Sequence, residues 1–177
     1  MKNRSRAITL VIAGVCLCLG SSYSAYSQTP SPGPTAAKKE SIVTTHATGT
    51  FEFQLVPQPS DDKTADTTLS RMTFDKQFHG DLEATSKGQM LAAGTGAKGS
   101  SGGYVAMERV TGTLHGRSGS FVLQHSGTMT RGTQQMTITV VPDSGTGQLI
   151  GLTGKLAIIH GDGKLSYDFE YTLAETP

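Results

Sequence analysis

The stretch Tyr104–His125, YVAMERVTGTLHGRSGSFVLQH, constrains the fold most, because apolar and polar side chains alternate along nearly all of it. Alternation with a period of two is typical of a strand with one buried and one exposed face. Glycine-containing turn residues interrupt the pattern near its middle, at Gly116-Arg117. The sequence therefore predicts an antiparallel hairpin whose turn is centred on these two residues.

This turn predicts a register that places Glu108 directly opposite His125. The same register pairs Val110 with Leu123, Gly112 with Phe121, Ala106 with Gly127, and Tyr104 with Met129. All of these residues share one face, so a carboxylate and an imidazole are predicted to point toward the core. The other face is mainly polar. A shift of the register by one residue would mix polar and apolar side chains on both faces of the hairpin.

The rest of the chain repeats the alternation and shows no helical period, which indicates an all-β domain. Predicted strands include Ile42 to Val56 and Leu69 to Phe78, and HGDLEATSKGQML continues through either a bulge or a tight turn. Asp162-Gly163 is a strong turn signal and predicts a last hairpin that pairs Leu156 with Phe169 and Lys155 with Glu170. The pattern predicts a single antiparallel all-β domain over residues 41–174.

The N-terminal residues predict export. Lys2, Arg4 and Arg6 precede an uncharged run from Ala7 to Gly20, and small side chains follow, as in a secretory signal peptide. We predict a signal peptide over 1–27 and a disordered, Pro-rich tether over 28–40. The predicted location is periplasmic or extracellular, without stable membrane insertion after cleavage.

The composition of the predicted mature chain limits the classes of partner that we expect it to bind. Both cysteines, Cys16 and Cys18, lie inside the predicted signal peptide, so the core must be stable without a disulfide. Loss of three basic residues from 15 leaves 12 Lys and Arg against 14 Asp and Glu, a net charge of about −2. Because no basic block or arginine stripe is present, we expect no nucleic-acid partner.

The motifs FHGDLEATSKGQML, GGYVAMERVTGTLHGRSGSFVLQHSGTM and VVPDSGTGQLIGLTGKL resemble a bacterial family of small proteins classed as a domain of unknown function. The resemblance covers about Ile42 to Leu173. More distantly, Gly145-Thr146-Gly147 with Gly151 and Gly154 is similar to the glycine motif of allene oxide cyclase and plant dirigent proteins. That resemblance implies a closed eight-stranded barrel, often trimeric, that binds or steers hydrophobic small molecules. We therefore expect residues 41–174 to form a single antiparallel, closed or nearly closed, eight-stranded barrel. It transfers no catalytic residue to this chain.

Glu108 and His125 are the main candidate site residues, with Tyr104 and Phe121 beside them on the predicted inner face. A buried carboxylate must be paired or protonated, and His125 is its natural partner. A satisfied structural pair, an anchor for a ligand, and an acid–base pair remain open. Lys76 lies on the same predicted face and could form an ion pair with Glu83 or Glu108, but we expect its side chain to extend outward into solvent.

Three functions follow as alternatives. The first is a binding module for a small, mainly apolar molecule, and the second is an isomerase- or cyclase-type enzyme that uses the Glu-His pair. The third is a solid barrel that forms a homo-oligomer through Val105, Met107, Val122 and Ile159. We expect no metal and no cofactor, because the histidines lack ligand spacing and no thiol remains after the signal peptide.

Overall fold

Eight antiparallel strands pair in sequence order and close into one barrel, as the sequence predicted. The computed structural model describes residues 43–59, 69–94, 97, 99–161 and 163–173. The predicted signal peptide (1–27) and tether (28–40) lie outside the described residues. The strands are β1 (Thr45–Gln58), β2 (Leu69–Gly80), β3 (Leu82–Gly94), β4 (Gly102–Leu114), β5 (Arg117–Thr130), β6 (Thr133–Val140), β7 (Thr153–Gly161) and β8 (Lys164–Thr172).

The predicted register of the β4–β5 hairpin is wrong by two residues. Leu114 pairs with Arg117, so the turn is centred on His115-Gly116, one residue earlier than predicted. Both turn residues have positive φ, 45° at His115 and 78° at Gly116, as a type I′ turn requires. The sequence signal was missed because a positive φ is uncommon for any residue other than glycine, even though histidine is among the residues that adopt it more often.

The shift changes the partners but not the faces, because two residues are one full period of a strand. Glu108 pairs with Leu123, and His125 pairs with Ala106. The other predicted pairs also change: Val110 faces Phe121, Gly112 faces Gly119, and Tyr104 faces Gly127. Glu108 and His125 are therefore diagonal neighbours on the inner face rather than direct partners.

The last hairpin has the predicted register, with Leu156 opposite Phe169 and Lys155 opposite Glu170. Between β2 and β3 the chain makes a tight turn at Gly80, where φ is +110°, which resolves the choice between a bulge and a turn.

One end of the barrel is plugged by the segment 141–152 between β6 and β7, which contains a single 3-10 turn at Gly147–Leu149. Leu149 and Leu152 are each 1% exposed and complete the apolar core at this end. The segment runs along β5, where the Thr146 N–H donates to the Ser120 carbonyl at 2.8 Å and the Ser120 N–H donates to Thr146 Oγ1 at 2.9 Å. Hydrogen bonds that β6 would otherwise supply to β5 are thus made by this plug.

We call the opposite end of the barrel the open end, because no described residues plug it as segment 141–152 plugs the first. β1 pairs with β8 only from Thr45 to Thr50, and beyond this point it pairs with β2 alone. Phe53 and Leu55 continue the inner face of β1 past the point where β8 leaves, and they are 45% and 39% exposed. Apolar side chains therefore line an end of the barrel that no other described segment fills.

Close backbone approach explains one glycine in the β3–β4 pair. A Cβ at Gly112 would collide with the Glu83 carbonyl and with Ala84 on the neighbouring strand. Because backbone cannot move aside as a flexible side chain can, this position excludes every side chain.

We therefore expect Gly112→Ala to destabilise the barrel, by about 1–3 kcal/mol, the usual cost of overpacking. Gly161→Ala is the matched control, since a Cβ there meets nothing within 4 Å, and it should change stability by less than about 0.5 kcal/mol. Urea unfolding of both variants measures the difference. Equal stabilities would contradict the close approach.

Candidate functional site

Four polar side chains from four adjacent strands meet inside the barrel, and we call them the charged cluster. They are Lys76 from β2, Ser86 from β3, Glu108 from β4 and His125 from β5. Their exposed fractions are 6%, 4%, 0% and 4%, in that order. Each lies on the inward side of its strand because it keeps the alternation of its apolar neighbours.

Glu108 is the centre of the cluster. Its Oε2 accepts hydrogen bonds from Lys76 Nζ at 2.8 Å and from His125 Nε2 at 2.8 Å, and its Oε1 accepts one from Ser86 Oγ. The predicted contact between Glu108 and His125 is therefore present, although it spans the ladder diagonally, within reach of long side chains. Since Glu108 has no exposed surface, a ligand cannot touch it in this arrangement.

The three donors keep Glu108 ionised. Burial alone raises the pKa of this carboxyl, but the hydrogen bond from His125 and the charge and hydrogen bond of Lys76, with that from Ser86, outweigh burial. Together they lower the pKa from 4.5 to about 2. A carboxylate therefore persists inside the barrel at neutral pH, with one ammonium to balance its charge.

Lys76 points inward, so the expectation that it extends outward is wrong and the alternative of a partner in Glu108 is right. Its ammonium lies 5.3, 5.4 and 5.5 Å from the ring centroids of Phe51, Phe74 and Phe78. The ammonium group of Lys76 therefore contacts one carboxylate and three aromatic rings in place of water. Glu83, the other partner considered, instead accepts a hydrogen bond from the Gly80 N–H at 2.8 Å.

Sequence reasoning did not identify Ser86 as a site residue. Its only signal is its place in the alternation of β3, where it follows Leu82 and Ala84 on the inner face. A small hydroxyl at such a position is equally common in a purely structural role, so the pattern alone gave no reason to single it out.

The structure separates the other two predicted site residues. Tyr104 is half-buried near the open end, where its ring covers Gly127 and its hydroxyl donates to Met136 Sδ at 3.0 Å. Burial, and secondarily the charge of Glu108, raise the pKa of Tyr104. Phe121 is 1% exposed in the packed core and stacks on Phe169, with the centroids 5.6 Å apart.

A cavity of about 530 Å³ occupies the open end. Its inward-facing lining includes Met72, Met90, Ala92, Tyr104, Met129 and Gln134. A second, larger concavity of about 1030 Å³ is lined mostly by outward-facing residues of β2–β5, so most of it belongs to the outer surface. Its inward-facing lining includes His125 and also Met72 and Met90, the two methionines that line the open end.

On the outer surface, Val105, Met107 and Ile159 are 54%, 52% and 50% exposed. Val122, the fourth predicted oligomer contact, is partly buried. Among the described residues, no group of three or more His, Cys, Asp or Glu side chains could hold a metal ion. No helix in the described part of the chain is both long enough and apolar enough to cross a bilayer.

The charged cluster should behave as a coupled unit when it is mutated. Lys76→Met leaves a buried carboxylate without its cation, and Glu108→Gln leaves a buried ammonium without its anion, so each should cost about 3–5 kcal/mol in the free energy of unfolding. The double variant Lys76→Met/Glu108→Gln leaves neither charge and should lose less than either single variant.

Urea unfolding at pH 7 measures this double-mutant cycle. The matched control is the exposed pair Asp75 and Lys87, 3.7 Å apart, for which Asp75→Asn and Lys87→Met should couple by less than about 1 kcal/mol. Additive losses at Lys76 and Glu108 would contradict a buried ion pair.

The lowered pKa of Glu108 also predicts a pH dependence. Its stabilisation is complete above the unfolded value of 4.5 and is lost as pH falls toward the folded value of about 2. The difference corresponds to about 3 kcal/mol. Urea unfolding between pH 7 and pH 2.5 should therefore show a steeper acid loss for the natural protein than for Lys76→Met/Glu108→Gln. Parallel pH profiles for the two proteins would contradict the lowered pKa of Glu108.

Comparison with known proteins agrees with the family resemblance. The family model described as "Protein of unknown function (DUF3224)" matches residues 47–171. The chain is also similar to the crystal structure of a protein with unknown function from the DUF3224 family of Shewanella oneidensis MR-1. The two are 45% identical with a TM-score of 0.71, and the alignment covers 76% of this chain and 100% of that chain.

No curated protein matches the chain. The more distant resemblance to allene oxide cyclase and dirigent proteins stays a prediction. Because the family model spans most of the barrel, from β1 to β8, the chain belongs to the DUF3224 family of small β-barrel proteins of unknown function.

Proposed function

We propose that the barrel binds a small, mainly apolar molecule in its open end. The observation that carries the proposal is the uneven filling of the interior. Side chains pack one end completely, whereas the other end holds a cavity of about 530 Å³. This volume falls within the roughly 300–1,000 Å³ of small-molecule sites.

The chemistry of the lining supports an apolar ligand. Met72, Met90 and Met129 line the cavity, and Met136 receives the hydroxyl of Tyr104 beside it. Unbranched, polarisable methionine side chains adapt to irregular apolar shapes and favour contact with varied ligands. Such a lining selects for size and hydrophobicity more than for a particular shape.

Exposed apolar surface at the same end supports the proposal further. Phe53 and Leu55 leave 45% and 39% of their surface in water, and Met129 leaves 38%. Met129 lines the cavity, and covering its exposed apolar surface with a ligand gains about 25 cal/mol per Å² of apolar area. At the plugged end, Leu149 and Leu152 fill the interior with the protein's own side chains.

In this proposal the charged cluster forms the inner end, or floor, of the binding site. It ties β2, β3, β4 and β5 together below the cavity and fixes the positions of their inner side chains. Both oxygens of Glu108 are occupied, so no observation favours the alternative in which this carboxylate moves a proton on a substrate. The oligomeric state and the role of Val105, Met107 and Ile159 stay open beside this proposal.

Filling the cavity tests the proposal. The neutral dye Nile red should bind the purified protein saturably, and Ala92→Phe, which adds a ring to the lining, should weaken binding at least about tenfold, or 1.4 kcal/mol. Val105→Phe on the outer face is the matched control and should bind as the natural protein does. Fluorescence titration measures all three. No saturable binding, or equal binding by both variants, would contradict the proposal.

A further inference from the structure

One nitrogen inside the barrel has no hydrogen-bond partner among the described residues. The hydrogen bond of His125 uses Nε2, and Nδ1 makes none with the part of the chain that the structure describes. Among the described residues, no side-chain nitrogen or oxygen that is sealed from solvent lacks a partner. Nδ1 therefore contacts accessible space, even though the residue as a whole is only 4% exposed.

That space adjoins the open end. His125 points inward from β5, one inward position below Gly127, which the ring of Tyr104 covers. In the row of paired inner residues that contains His125, the next residues are Ala106, Met90 and Met72, and the two methionines line the open-end cavity. Tyr104, which lines the open-end cavity, and Glu108 lie on the same face of β4, two inward positions apart.

The partners of His125 fix what Nδ1 can do. An ionised carboxylate only accepts hydrogen bonds, so the Nε2 that faces Glu108 must carry a proton. Lys76 already balances the charge of Glu108, and a second buried cation would have no counter-ion. The imidazole is thus neutral, with its proton on Nε2, and Nδ1 presents a lone pair that accepts hydrogen bonds and cannot donate one.

We infer that the ligand in the binding role proposed above carries a hydrogen-bond donor, a hydroxyl or N–H group, which Nδ1 of His125 accepts. Apart from Glu108, the neighbours of the imidazole include Ala106 and Ile138, its partners on β4 and β6, and the ring of Phe74, whose centroid lies 6.0 Å from that of His125, and all three are apolar. The ligand class is therefore an apolar body with one donor, such as a long-chain alcohol or an alkylphenol. Glu108 acts on the ligand only through His125, as a positioning residue.

A matched pair of probes tests this inference. 4-Hexylphenol and its methyl ether, 4-hexylanisole, share an apolar body, but only the phenol donates a hydrogen bond. In competition with Nile red, the natural protein should bind the phenol about tenfold more tightly. His125→Met, which has no acceptor nitrogen, should lose this preference. His125→Gln should keep part of it, because its amide can donate to Glu108 and present an oxygen to the cavity.

Nitrogen NMR of labelled histidine supplies a readout that does not depend on a variant or on binding. Without ligand, Nε2 of His125 should give a pyrrole-type signal and Nδ1 a pyridine-type signal. The phenol should shift the Nδ1 signal, and the ether should leave it unchanged. A proton on Nδ1 in the free protein would overturn the inference.

The outcomes separate the inference from the function on which it rests. If Nile red binds but the natural protein and His125→Met show the same preference between the two probes, the inference is wrong and apolar binding stands. If the dye and both probes fail to bind, the proposed function is wrong and the inference falls with it.

Discussion

An ionised carboxylate held inside the barrel by donors from three neighbouring strands is the interaction on which the rest of the structure depends. Glu108 has no exposed surface, and water cannot replace a lost partner there. The chain must therefore deliver Lys76, Ser86 and His125 to the same point from β2, β3 and β5. A slip of any one strand by a single residue would turn its donor to the outside and leave a buried charge incompletely paired.

This requirement divides the interior into two parts. Toward the plugged end, the packed side chains are apolar, and rings such as Phe121 and Phe169 stack directly on each other. Toward the other end, β1 leaves β8 and methionines surround open space. The charged cluster lies between the two, so the site has a rigid polar floor under an adaptable apolar wall.

Alternation was sufficient to predict an antiparallel all-β domain, its inner faces and the identity of the Glu108–His125 pair, whereas the closed barrel was predicted from the resemblance to allene oxide cyclase and dirigent proteins. The predicted register of β4 and β5 was wrong because the turn is centred on His115-Gly116. His115 has a positive φ there, and the sequence pattern alone did not predict this conformation. The face assignments survived that error, since moving the centre of a turn by one residue shifts the register by two. Most glycines of the motif that carries the distant resemblance, Gly145, Gly147 and Gly151, lie in the plug.

Lys76, Ser86 and the open end could not be predicted in the same way. Whether a lysine side chain points inward depends on whether the folded barrel places a carboxylate beside it. The sequence of the lysine's own strand does not contain that information. An unfilled cavity likewise results from the summed volumes of side chains on several strands. A local pattern therefore identifies the wall of such a site but does not reveal the space inside it.

The ionisation of Glu108 is the central claim, because the tautomer of His125, the inward lysine and the polar floor all follow from it. Carbon NMR of the Glu108 side-chain carboxyl, followed as the pH is lowered from 7, tests it most directly. We expect the carboxylate signal to persist well below pH 4.5, with a midpoint near the pKa of about 2. A midpoint at or above 4.5 would contradict the account.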